Sequence, residues 1–232
     1  MGVRALHAKR SLIVLLLALL TTACGTLGLP GFSGLNTITS RYSDPTGDAT
    51  ASGGIAYDVT EVVTNRIDNP AGGAYDTLQV VITFNQTVVL PAPGSAPNTA
   101  GTQLGNLIHI DADRNPATGF GSSFCGLDGL DFLVDGSSTR LANGNYPVFT
   151  GTFFSTLSGE ATPSVSGNVL TVNIPLSALG GDDGETNLVE LAAQRFGGFD
   201  NLTDCAPGDP TAGTGGAVIT RQPAGSKGLK GR

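Results

Sequence analysis

The ten residues Asp76-Thr77-Leu78-Gln79-Val80-Val81-Ile82-Thr83-Phe84-Asn85 decide the fold class. Leu78, Val80, Ile82 and Phe84 fall on one side of an extended chain. Thr77, Gln79, Thr83 and Asn85 fall on the other, with Val81 the exception. A strand turns successive side chains to opposite faces, so this alternation predicts a half-buried strand with one apolar face. Asn168–Ile174 repeats it, with Leu170, Val172 and Ile174 opposite Thr171 and Asn173. Just before, Val165-Ser166-Gly167-Asn168-Val169 reads as a hairpin turn.

Working outward, further strands are expected at Tyr57–Ile67, Leu104–Asp111, Leu130–Val134, Tyr146–Leu157 and Leu188–Phe196. The best helical segment is short, Leu176–Leu179 directly after Pro175, where a proline suits a helix start. Pro91–Gln103 and Asp113–Gly129 read as long loops, and such loops in compact domains are often functional. Many short strands separated by Gly-rich turns imply an all-β, antiparallel β-sandwich of immunoglobulin-like size in one domain. The 34 glycines and 13 prolines among 232 residues fit a turn-rich packed domain.

The N-terminus reads as an address. Arg4, Lys9 and Arg10 precede an unbroken apolar run of 9 residues, Leu12–Leu20, and Thr21-Thr22-Ala23 leads to Cys24. That is the layout of a secretory signal peptide, too short to span a bilayer. LLTTAC resembles the lipobox of bacterial lipoproteins, which implies lipidation at Cys24. The alternative is an ordinary signal peptide cut nearby. Gly25 is not the Asp that often retains lipoproteins at an inner membrane, so an outer-membrane or cell-surface destination is favoured. The expected organisation is a signal peptide over 1–23, a flexible tether over 24–39, a β-sandwich domain over 40–220, and a basic flexible tail over 221–232.

Charge sharpens this division. The whole chain carries −7. Between Arg41 and Pro210 lie all 19 acids and five arginines, with no lysine. So acidic a domain argues against a nucleic-acid partner, which needs basic patches. It fits either solubility or hard-cation binding. With Cys24 lipidated, Cys125 and Cys205 remain, and an even pair in an oxidising compartment reads as a disulfide. Closing a loop of about 80 residues is worth at most roughly 4–5 kcal/mol in the chain-entropy model. The alternative is two buried unpaired cysteines.

The segment richest in chemistry is Ile108-His109-Ile110-Asp111-Ala112-Asp113-Arg114-Asn115-Pro116-Ala117-Thr118-Gly119. Asp111, Asp113 and Asn115 place oxygens at alternate positions where a strand enters a turn, and such oxygens can converge on one cation. The competing reading is a polar turn whose Asp and Asn bond their own backbone. Asp44 and Asp48 share the turn Ser43–Asp48. Asp131 precedes a strand, and Asp204 lies beside Cys205 in what reads as another acidic turn. If Cys125 and Cys205 are bonded, the Asp131 and Asp204 regions should lie near each other.

The series DPTGD, IHIDADRNPATG, GLDF, VSGNVLTVNIPLSALGG and TDCAP, in that order over about residues 40–210, resembles the DOMON and family 9 carbohydrate-binding-module superfamily. The resemblance implies a jelly-roll-like sandwich, structural Ca²⁺, and binding of sugars, haem or proteins. Asp111, Asp113, Asn115 and Asp131 sit on matching positions, with Asp44, Asp48 and Asp204 in matching end motifs. Departures bear on function. There is no Trp, Phe132 replaces a usual Tyr, and only Tyr42, Tyr57, Tyr75 and Tyr146 offer phenol rings for sugar stacking. Haem would want His or Met ligands, and after residue 24 the chain offers His109 and no Met. A Ser/His/Asp triad could use only His109, whose plain reading is a strand residue, and no G-x-S-x-G elbow occurs. A glycosidase needs only two carboxylates, so acid count alone does not exclude one. The expectation is a non-catalytic binding or assembly module with structural Ca²⁺, held at the membrane by its lipid. Its partner is an envelope protein complex or a glycan, such as a surface-layer assembly. A hydrolase ranks last.

Overall fold

A computed structural model of the chain describes residues 37–49, 55–68, 75–113, 115, 117–120, 129–181, 188–194 and 202–206. Cys24, the signal segment, most of the tether, Cys125 and the basic tail lie outside the described residues.

Ten strands are described: β1 Thr37–Ser43, β2 Val59–Asp68, β3 Tyr75–Phe84, β4 Gly105–Asp111, β5 Phe132–Asp135, β6 Tyr146–Thr150, β7 Thr156–Ser166, β8 Val169–Pro175, β9 Leu188–Gln194 and β10 Leu202–Ala206. Every pairing is antiparallel, in the order β1-β2-β3-β8-β7-β6-β5-β4-β9-β10. The chain is therefore an all-β antiparallel sandwich. The fold turns on β7. Its first half pairs with β6 and its second half, from Thr162, pairs with β8, so one long strand belongs to both layers. The connections β3 to β4 and β8 to β9 carry the chain between the layers.

The alternation in β3 has the expected result. Leu78, Val80, Ile82 and Phe84 are buried, and the residues between them are not. They meet Leu170, Val172 and Ile174 of β8, and Ile108, Ile110, Val134 and Val148 of the other layer, in one core. Non-directional burial of apolar area holds such layers together, at roughly 25 cal/mol per Å². Tyr42, Tyr57 and Tyr146 are buried in this same core, which removes three of the four tyrosines from any sugar-stacking role. Gly167 and Asn168 form the two-residue hairpin turn, with Gly167 at φ 62, and Leu176–Leu179 is a 3-10 turn closed by Gly180.

Three readings need correction. Tyr146–Leu157 is not one strand. It breaks at Gly151 into β6, a 3-10 turn over Thr152–Phe154, and β7. Phe153 and Phe154 take positive φ there, a conformation that alternation cannot reveal. Thr37, Ile38 and Thr39, assigned to the tether, are strand, because Thr37 and Ile38 pair with β2 at the sheet edge and Thr39 is a bulge within that pairing. Asp204 sits in β10 rather than in a turn. The loop Pro91–Gln103 is pinned rather than open. Arg140 donates to Pro91 O at 2.6 Å and to Gly144 O, and Gly94 N donates back to Arg140 O at 3.1 Å.

Candidate metal centres

The expected carboxylates gather into two separate groups. In each, ligand oxygens from three aspartates lie within 4.8 Å of one another: Asp44, Asp48 and Asp204 in one, Asp111, Asp113 and Asp131 in the other. Strand register keeps the groups apart. Asp204 pairs with Ala193, and Ala193 with Asn106 of β4. Asn106 is five residues from Asp111, about 17 Å along the strand direction at 3.4 Å per residue. The Asp131 and Asp204 carboxylates therefore belong to different groups.

The first group is assembled around the start of β2. Asp44 directly follows β1 and is buried, with its N–H on Thr60 O at 3.0 Å. The turn continues through Gly47 at φ 92, a backbone conformation that favours glycine. Gly47 N donates to both oxygens of Asp58, at 3.2 and 3.0 Å. Val59, the next residue, donates its N–H to Asp204 Oδ2 at 2.6 Å, and Cys205 N donates to Asp204 Oδ1 at 2.7 Å. Bulges occur in both contributing strands, at Thr60 against β3 and at Thr203 against β9. An extra residue of this kind re-aims neighbouring side chains. Asp204 is fully buried. Burial above all pushes its carboxyl up to about 7, with the charges of Asp48 and Asp58 adding to the rise and the two backbone N–H bonds opposing it. Asp58, also buried, carries no alternation or spacing signal, and sequence reasoning missed it.

The second group is built from neighbours in sequence. Asp111 ends β4 and is buried, Asp131 is half-buried and Asp113 is exposed. Asp131 Oδ2 accepts the N–H groups of Ala112 at 2.9 Å and Asp113 at 3.4 Å, and its own N–H bonds Ile110 O at 2.9 Å. The turn beyond follows the self-bonding pattern. Asp113 Oδ1 accepts Asn115 N at 2.9 Å, and Asn115 Oδ1 accepts Ala117 N at 3.1 Å. Asn115 thus has its side-chain oxygen on the turn backbone. Gly119, at φ 68, seats the turn, since a Cβ there would lie 2.5 Å from Leu130 O and 2.9 Å from Asp131 Oδ1.

No protein-family model matches the chain, and a search of curated proteins found no match either. The chemistry of the two groups therefore stands on their own atoms. All donors are oxygens, which suits a hard cation of high coordination number such as Ca²⁺ and not zinc, which favours nitrogen and sulfur. Three carboxylates this close repel one another in a low-dielectric setting, and a divalent cation relieves that repulsion.

His109 is 2% exposed on β4, its ring 5.8 Å from that of Phe154. Phe153 is 76% exposed and packs at 5.3 Å against Phe120. Cys205 is buried and engaged, not a free thiol.

Proposed function

We propose that this chain is a lipid-anchored β-sandwich stabilised by Ca²⁺, acting as a non-catalytic binding or assembly module at the cell envelope. The N-terminal address ending in Cys24 supports the location. One observation carries the metal: two groups of three aspartates, each with converging oxygens, at opposite ends of the β4 register. Asp44, Asp48 and Asp204 hold one ion, and Asp111, Asp113 and Asp131, with Asn115 shaping the turn, hold the other. The ions are structural, tying the loop after β4 and the turn after β1 to the sandwich. A Cys125–Cys205 disulfide secures β10 in the same way. Burial of His109 beneath Phe154 supports a non-catalytic role, since it removes the one histidine of the exported chain from solvent. Calcium titration of the chain without its signal segment, followed calorimetrically and by thermal melting, tests this. Two ions per chain and a raised melting temperature are expected. No bound metal by elemental analysis, with no thermal shift, would overturn the reading.

Glycan binding is the second reading, and Phe153 favours it, because an exposed ring can stack on a sugar face. A glycan array that gives hits lost on Phe153→Ala would place it ahead of protein assembly.

A further inference from the structure

Asp58 and Val59 are adjacent, yet they reach two segments far apart in the chain, at Gly47 and at Asp204. Asp58 accepts the Gly47 N–H at both oxygens, which holds the turn between Asp44 and Asp48. Val59 donates to Asp204 Oδ2 from β10. Asp58 is itself fixed. Asn85 Nδ2 donates to its Oδ2 at 2.6 Å, and Asn85 N donates to its carbonyl at 2.9 Å. A buried carboxylate is costly unless it is hydrogen-bonded, and these donors account for this one. It is not among the three aspartates whose oxygens converge.

We propose that Asp58 is the positioning residue of the first centre, orienting the Asp44–Asp48 turn so that its carboxylates converge with Asp204. This rests on the calcium reading above. Groups that orient metal ligands through hydrogen bonds typically alter affinity by about 10–100-fold when lost. The variant Asp58→Asn keeps the size of the side chain but replaces one of its two accepting oxygens with an NH2 donor, so the donors Gly47 N and Asn85 Nδ2 are left with a single acceptor between them.

The experiment uses the chain without its signal segment and Ca²⁺ alone as the probe, with calorimetric titration and melts in Ca²⁺ and in EGTA. Asp58→Asn is expected to weaken one of two sites by about 10–100-fold, leaving the other site and the melting temperature in EGTA unchanged or slightly raised. Asn85→Ala, a change at an exposed side chain, should weaken the same site by a smaller factor, and it decides the matter if Asp58→Asn does not fold. Wild-type affinity at both sites in the variants would overturn the proposal, as would a matching fall of the melting temperature in EGTA, which marks a merely structural role. If the wild-type chain binds no Ca²⁺, the calcium reading itself fails.

Discussion

The two carboxylate groups are built from the same side chain in opposite ways. The Asp111 group comes from one strand end, its following turn and a neighbouring strand start, and Asp113 opens it to solvent. The Asp44 group comes from the turn after β1 and from β10, and Asp204 within it is fully buried. The first kind of site can be preformed by local turn bonds. The second exists only when distant strands have paired, so the binding of a cation there would be coupled to folding itself.

Removing each site separately tests that contrast most strongly. At a ligand concentration about 100 times Kd, a bound ion adds about 2.7 kcal/mol. For a domain of this size that corresponds to roughly 5–11 °C. Asp44→Ala with Asp204→Ala is expected to lose that full increment in saturating Ca²⁺. Asp111→Ala with Asp113→Ala should lose less, because exposed Asp113 leaves that site open to solvent and weaker, and the increment grows with the logarithm of the ion concentration over Kd. Equal losses in differential scanning calorimetry would erase the distinction.

The glycines of the two turns sharpen the comparison at a smaller scale. Both Gly47 and Gly119 take positive φ, where alanine costs about 1–2 kcal/mol. They differ in space. A Cβ at Gly47 meets nothing within 4 Å, whereas one at Gly119 collides with the Leu130 carbonyl beside Asp131. Gly47→Ala should therefore cost about 1 kcal/mol, and Gly119→Ala about 2–3 kcal/mol, read as denaturant midpoints. Both changes should also weaken their ion sites, the Gly119 change more, since its Cβ would collide beside Asp131.

The same contrast explains what could be read from the sequence. The Asp111 group was legible because its members lie within 21 residues and follow a strand-to-turn pattern. Alternation in β3 and β8 was legible because one face of each is buried and the other is not. β4 carries no alternation, being buried on both faces, and was found from its apolar run alone. The members of the other group also lay in recognisable segments, but two stand in the turn after β1 and the third in β10, so their convergence rests on long-range strand pairing. Asp58 was invisible because its role arises from a backbone N–H, that of Gly47, which no side-chain pattern encodes. The break at Gly151 was missed for a related reason: Phe153 and Phe154 are strand-favouring residues, and tertiary context holds them at positive φ.

Acidity gives the gentlest and most specific probe of the buried site. Without a cation, the Asp204 carboxyl lies near 7 against 3.8 for an exposed aspartate, chiefly through burial. Between those values the folded chain holds a proton that the unfolded chain has released. Stability then falls as pH rises from about 4 to about 7, and the trend ends above it. The slope is at most about 1.4 kcal/mol per pH unit for one proton. In EGTA, melting temperature should therefore drift down over that window, and Asp204→Asn, neutral at every pH, should flatten the drift. In saturating Ca²⁺ the drift should vanish, because the ion holds the carboxylate ionised in the folded chain, as it already is in the unfolded chain over that window. A downward drift that persists unchanged in saturating Ca²⁺ would show that Asp204 is a buried acid that holds no ion.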